Sequence, residues 1–125
     1  MNKQPDIQIG VRTRYLLEQS DPEEDRYVFA YTVEICNRSD EAVKLLNRYW
    51  HITDDNEKVE EIRGAGVIGQ QPEILPGQSF HYTSGAVIET QFGGMHGDYE
   101  MLSASGEKFT AQIQPFLLAP PLAVH

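Results

Sequence analysis

A chain of 125 residues with 40% hydrophobic residues and a net charge of −9 is long enough for one domain with its own core, which we place at residues 1–125. The negative charge excludes non-specific binding to nucleic acid, because neutralising phosphates requires clustered lysine and arginine. The apolar runs are too short for membrane insertion, and the N-terminus lacks the apolar core of a signal peptide. The single cysteine, Cys36, excludes an internal disulfide and fits a reducing compartment, so we expect a cytoplasmic protein.

The first half of the chain alternates apolar and polar residues with the period of two that is typical of β-strands. The pattern predicts strands over residues 6–17, 26–37, 43–53 and 58–63, the last short, charged and at a sheet edge. The strand at 26–37 is apolar on both faces and is predicted to be central, with Cys36 as an inert core thiol. In the third strand, strict alternation places Leu46, Trp50 and Ile52 on one face.

The second half is rich in glycine, with eight of the chain's ten glycines between residues 64 and 101. Strands are predicted over 78–84, 97–103 and 108–114, whereas 86–92 is open between strand and loop. The tail at 115–125 contains three prolines and is predicted to lie extended over the surface.

The absence of any helical period, together with short strands and frequent turns, predicts an all-β fold. The expected architecture is an immunoglobulin- or fibronectin type III-like β-sandwich of about seven strands. Cys36 and Trp50 have the spacing of strands B and C in such domains, and Tyr99 begins a pattern like that of a tyrosine corner. The predicted core therefore includes the aromatic side chains of Phe29, Tyr31, Trp50 and Tyr99.

The segment Gly64–Gly69, here called the glycine loop, matches the dinucleotide-binding pattern G-x-G-x-x-G. That chemistry requires a helix to begin at the third glycine, but Gln70, Gln71 and Pro72 follow, and no βαβ unit surrounds the loop. Two interpretations remain open: a stiff recognition loop for a partner protein, or a backbone cup for a small anion such as pyrophosphate. In both, the candidate residues are Gly64, Gly66, Gly69 and the neighbouring base Arg63.

A second candidate set lies on the following strand. His96, Asp98 and Glu100 alternate, so that a strand places all three on one face, and imidazole with two carboxylates suits cobalt or another divalent ion. The same spacing also describes a solvated face opposite Tyr99 and Met101, which is the interpretation we prefer. We therefore predict no tight metal site, no cofactor and no catalytic residues.

Several motifs recur in one order along the chain. They are the glycines 64, 66 and 69, then Pro72 and Pro76-Gly77, then Phe80, Tyr82 and Ser84, then Gly94, His96, Gly97, Tyr99 and Met101, all preceded by the block LNRYWHITD at 46–54. In this order and spacing the chain resembles the ApaG family, also called CorD. It departs from the family pattern at Ile74-Leu75 and at Gln91.

This resemblance implies a fibronectin III-like sandwich and a link to cobalt resistance and magnesium efflux. Related domains in eukaryotic F-box proteins and in a DNA-polymerase-interacting protein imply protein binding. We therefore expect a non-enzymatic protein-binding module; the alternative is a nucleotide-, pyrophosphate- or divalent-cation-binding factor that acts through the glycine loop.

Overall fold

The computed structural model describes residues 4–121 and contains almost only β-strands. The strands are β1 (Ile7–Tyr15), β2 (Tyr27–Asn37), β3 (Val43–Asp54), β4 (Val59–Ala65), β5 (Glu73–Ile74), β6 (Ser79–Ile88), β7 (Gly93–Ser103) and β8 (Lys108–Leu118). Two single 3-10 turns, Leu17–Gln19 and Pro22–Glu24, connect β1 to β2. The strand that exceeds the predicted seven is β5, which has two residues. Within residues 4–121, no helix is long and apolar enough to cross a membrane.

The strands form two antiparallel sheets, one ordered β1-β2-β6 and the other β4-β3-β7-β8, with β5 added to β3. This arrangement confirms the predicted β-sandwich. The charged strand β4 lies at a sheet edge, as its composition predicts, and residues 86–88 prove to be the end of β6.

The core lies between the sheets and is dominated by aromatic rings. Trp50 is 1% exposed and meets Tyr31, Tyr99 and Phe116 edge-on, with ring centroids 5.1, 6.3 and 5.9 Å away. These contacts confirm the predicted core positions of Trp50, Tyr31 and Tyr99. The hydroxyl of Tyr99 bonds to the hydroxyl of Tyr82 on the opposite sheet. The tyrosine-corner prediction was therefore wrong, because that motif requires a bond to upstream backbone.

A β-bulge in β3 corrects the predicted face of Leu46. Leu45 pairs with Met101 and Asn47 pairs with Glu100, so that Leu46 is an extra residue in the ladder. The bulge changes the phase of the alternation. Leu45 rather than Leu46 is fully buried before it, and Trp50 is buried after it.

The tail prediction was wrong for residues 115–118, which continue β8; residues 122–125 lie outside the described part of the chain. Met95 pairs with Phe116 and Gly97 with Ile113, so the extra residue of a second bulge lies in β8 around Pro115. Proline is tolerated at a bulge because it has no N–H to contribute to the ladder. The strand resumes beyond it, and Leu118 is fully buried.

Cys36 is not a core thiol. It lies on the half-buried outer face of β2, while its neighbours Ile35 and Asn37 face the interior. Strand alternation explains this, since Phe29, Tyr31, Val33 and Ile35 already occupy the inner face.

Candidate binding site at the glycine loop

The bulge at Leu46 determines where the glycine loop lies. A bulged residue is left out of the ladder, and the Leu46 carbonyl instead accepts hydrogen bonds from the N–H of Gly66 at 2.8 Å and the Nε2 of Gln71 at 2.9 Å. The loop that follows β4 is thus attached directly to β3. The sequence analysis missed this connection, because nothing in the local pattern marks Leu46 as an extra residue.

The loop has a defined, partly strained backbone. Gly66 and Gly69 have φ of 63° and 77°, and Ile68 between them has φ of 42°. Val67 and Gln70 exchange backbone hydrogen bonds of 2.8 and 2.9 Å, which close the turn. The Val67 side chain is fully buried and anchors the loop, whereas Ile68 is 55% exposed at its tip.

Arg48 fixes the start of the glycine loop through hydrogen bonds to its backbone. Its Nη1 donates hydrogen bonds to the carbonyls of Ala65 at 3.1 Å and Gly66 at 2.9 Å. A Cβ at Gly64 would lie 2.8 Å from that Nη1, so Gly64 leaves room for the guanidinium. Sequence reasoning named the glycine but missed the arginine; the only signal was that Arg48 shares a strand face with Trp50.

Arg63 does not lie at the glycine loop. It pairs with Tyr49 in the ladder, and its guanidinium sits 4.6 Å from the centroid of the Tyr49 ring, on the face opposite to that of Arg48. Its Nη1 is 3.1 Å from a carboxylate oxygen of Glu61. The structure therefore groups Gly64, Gly66 and Gly69 at the loop but places Arg63 on the outer face of the sheet.

His96, Asp98 and Glu100 share the outer face of β7, but each has a different partner. His96 stacks on His51 with centroids 4.5 Å apart, and Glu100 accepts a 2.7 Å bond from Asn47. Partial burial raises the pKa of the Asp98 carboxyl, and nearby Arg63 lowers it in part. Among residues 4–121, no three histidine, cysteine or acidic side chains are grouped closely enough to hold a metal ion.

A cavity of about 210 Å³ lies between the two sheets, behind the glycine loop. Side chains from three strands line it, namely Tyr31 of β2, Arg48 and Trp50 of β3, and Tyr82 and Ser84 of β6, and residues 67–69 close one side. The register of β2 with β6 brings Tyr31 beside Ser84 in this lining, because the two residues pair in the ladder.

The polar groups behind the loop are mostly buried. Burial raises the pKa of the phenols of Tyr31, Tyr82 and Tyr99, and the charge of Arg48 lowers all three in part. Trp50 Nε1 is close enough to Tyr82 to lower the pKa of that phenol, but the contact lacks regular hydrogen-bond geometry, and Nε1 has no hydrogen-bond partner among the described residues.

Both the sequence and the fold are similar to those of known proteins. Residues 17–103 match the family model described as the ApaG domain. Protein ApaG of Pseudomonas putida F1 is 55% identical over 119 residues, covering 95% of this chain and 94% of that protein. Protein ApaG of Shewanella oneidensis MR-1 is 49% identical over 119 residues, with the same coverage. A crystal structure of an ApaA protein from Bordetella pertussis has a TM-score of 0.93 at 45% identity, covering 97% of this chain and 98% of that one. The chain therefore belongs to the ApaG family, as its motifs predict.

Proposed function

We propose that this chain is a cytoplasmic, non-enzymatic binding module that recognises a partner protein through the tip of the glycine loop. The observation that carries the proposal is Ile68, an exposed β-branched residue held at φ of 42°. Such residues are genuine outliers at positive φ, and the strain of about 1–3 kcal/mol that they carry is concentrated at functional sites. An apolar side chain 55% exposed at a loop tip gains by burial against a partner.

The loop is pre-organised for recognition. The hydrogen bonds to Leu46, the Arg48 guanidinium below and the buried Val67 side chain all restrict it before any partner arrives. A loop that is already ordered loses less conformational entropy on binding, which raises its affinity for a given contact area.

The alternative, a nucleotide or pyrophosphate held by loop N–H groups, has less support. A backbone cup requires free N–H donors, but those of Gly66, Val67 and Gln70 already donate to carbonyls of the protein. We extend the proposal to the family link with cobalt resistance and magnesium efflux: the module acts there through its partner rather than by holding the cation.

Affinity capture with matched variants tests the proposal. Ile68→Asp places a charge at the loop tip, and Leu117→Asp places the same charge at a 73% exposed site on β8, at the opposite edge of the same sheet. A partner identified by cross-linking is expected to bind Ile68→Asp at least about tenfold more weakly in purified form, a loss of roughly 1.4 kcal/mol, and to bind Leu117→Asp like the parent chain.

In a strain that lacks the gene, Leu117→Asp is expected to restore growth on cobalt and Ile68→Asp is not. Equal partner binding by both variants would contradict the loop-tip proposal. Steady release of phosphate from ATP by the pure chain, lost in Gly66→Val, would contradict the non-enzymatic part of it.

A further inference from the structure

We propose that the cavity behind the glycine loop binds a small organic oxyanion, a carboxylate or a phosphate monoester, whose head group meets Arg48 and whose body lies against the Trp50 ring. The donors of this site are side chains of β2, β3 and β6, whereas residues 67–69 of the glycine loop only close one side of the cavity.

The first observation is the indole ring at the centre of the cavity lining. Trp50 is 1% exposed and lines the cavity. Its Nε1 is itself fully buried beside Tyr82, so a ligand contacts the indole ring rather than the N–H. A flat aromatic wall of this kind favours an apolar or aromatic ligand body.

The second observation is the charge of the lining. Arg48 takes part in none of the ion pairs found among residues 4–121, although the chain carries a net charge of −9. Its two protein hydrogen bonds both use Nη1, which leaves Nε and Nη2 for another acceptor. Within the described range 4–121, no aspartate or glutamate lines the cavity, whereas the hydroxyls of Tyr31 and Ser84 add further donors. A cavity of this kind favours a ligand whose polar atoms only accept hydrogen bonds.

The third observation is size and wall chemistry. A volume of about 210 Å³ exceeds the roughly 150 Å³ of a cavity that binds benzene and falls below the roughly 300 Å³ at which pockets for drug-sized ligands begin. The walls include the rings of Tyr31, Trp50 and Tyr82. The ligand therefore has one charged head and, inside the cavity, a body of about one ring.

The single tryptophan makes the test direct, since the one indole N–H signal in an NMR spectrum belongs to Trp50. We would titrate the full chain with benzoate, phenyl phosphate and inorganic phosphate. Benzoate or phenyl phosphate is expected to move the indole signal saturably, with a Kd below about 1 mM, and the stronger of the two identifies the head group. Inorganic phosphate alone is expected to bind at least about tenfold more weakly, because it leaves the aromatic walls unfilled. No shift up to about 10 mM of any of the three ligands would overturn the proposal.

Substitutions of cavity-lining residues test whether the ligand binds in the cavity. Arg48→Gln is expected to weaken binding at least about tenfold, because charge-assisted hydrogen bonds are roughly twice as strong as neutral ones. Arg14→Gln makes the same charge change on an exposed residue of β1 and is expected to leave Kd unchanged. Because Arg48 also supports the loop, Ser84→Leu provides a second variant that fills the cavity and retains the arginine. A ligand-induced shift that persists unchanged in folded Arg48→Gln or Ser84→Leu would overturn the proposal.

Discussion

At Gly64 the residue type follows from a neighbour on the adjacent strand. A side chain there would occupy the place of the Arg48 guanidinium, whose nearest atoms lie 2.8–2.9 Å from where a Cβ would be. The requirement is spatial rather than conformational, because Gly64 does not have a positive φ. Gly97 on β7 is a comparable case, since a Cβ there would lie 1.9 Å from the Tyr49 carbonyl oxygen.

Trp50 is the residue on which the core depends most. Trp50→Ala is expected to lower the free energy of unfolding by about 3–5 kcal/mol, because it removes a fully buried ring and its edge-on contacts. Trp50→Phe keeps one ring and removes the unpaired N–H, so less than half of that loss is expected. Urea unfolding followed by circular dichroism measures both, since each substitution removes the only tryptophan. A loss below about 1 kcal/mol for Trp50→Ala would contradict the packing described here.

At the level of the element, Gly66 and Gly69 of the glycine loop are under different constraints. Gly66 combines a positive φ with a close neighbour, as a Cβ would lie 2.1 Å from the Gln70 carbonyl oxygen. Gly69 has a positive φ but open space around it. Gly69→Ala is therefore expected to cost about 1–2 kcal/mol of backbone strain, and Gly66→Ala at least twice as much. Urea unfolding followed by Trp50 fluorescence compares the pair, and equal losses would show that the loop adapts freely around Gly66.

The end of β8 allows a similar comparison between neighbours. Leu118 is fully buried and Leu117 is 73% exposed, although the two are adjacent and chemically identical. Leu118→Ala is expected to cost about 2–5 kcal/mol, while Leu117→Ala is expected to stay within about 0.5 kcal/mol of the parent chain. Thermal or urea unfolding of the two variants checks this. Similar small effects would mean that residues 115–118 do not pack as a strand in solution.

For the whole molecule, stability comes from the core rather than from surface charge. The ion pairs found among residues 4–121, such as Lys58–Glu89 and Arg63–Glu61, join exposed side chains. Exposed pairs typically contribute at most about 1 kcal/mol each. The buried tyrosines, in contrast, make the fold sensitive to alkaline pH.

Tyr31, Tyr82 and Tyr99 have pKa values raised by burial, so the folded state keeps protons that the unfolded state releases above its tyrosine pKa of about 10. Stability is therefore expected to be full below about pH 10 and to fall above it, by about 1.4 kcal/mol per pH unit for each such tyrosine. Urea unfolding at a series of pH values between about 9 and 11.5 measures the slope. Tyr99→Phe should reduce it by about one group's share, and an identical slope in that variant would contradict this account.

Local sequence was sufficient for much of this fold. Period-two alternation predicted β2 and the inward direction of Phe29 and Tyr31, because a pleated strand sends successive side chains to opposite faces wherever its ladder is regular. The ordered motifs predicted the family, and the charge of β4 predicted its edge position. Residues 86–88 stayed ambiguous, since a glycine before them and mixed polarity after them do not distinguish a strand from a loop.

Tertiary structure decided the rest, because a β-bulge shifts the pairing between two strands by one residue. The bulge at Leu46 and the one around Pro115 each reverse which residues face the core, yet both arise from pairing with β7, far away in sequence. The same bulge frees the Leu46 carbonyl for the glycine loop. The cavity behind that loop depends on side chains from three strands and two sheets, which only the packing of one sheet on the other brings together.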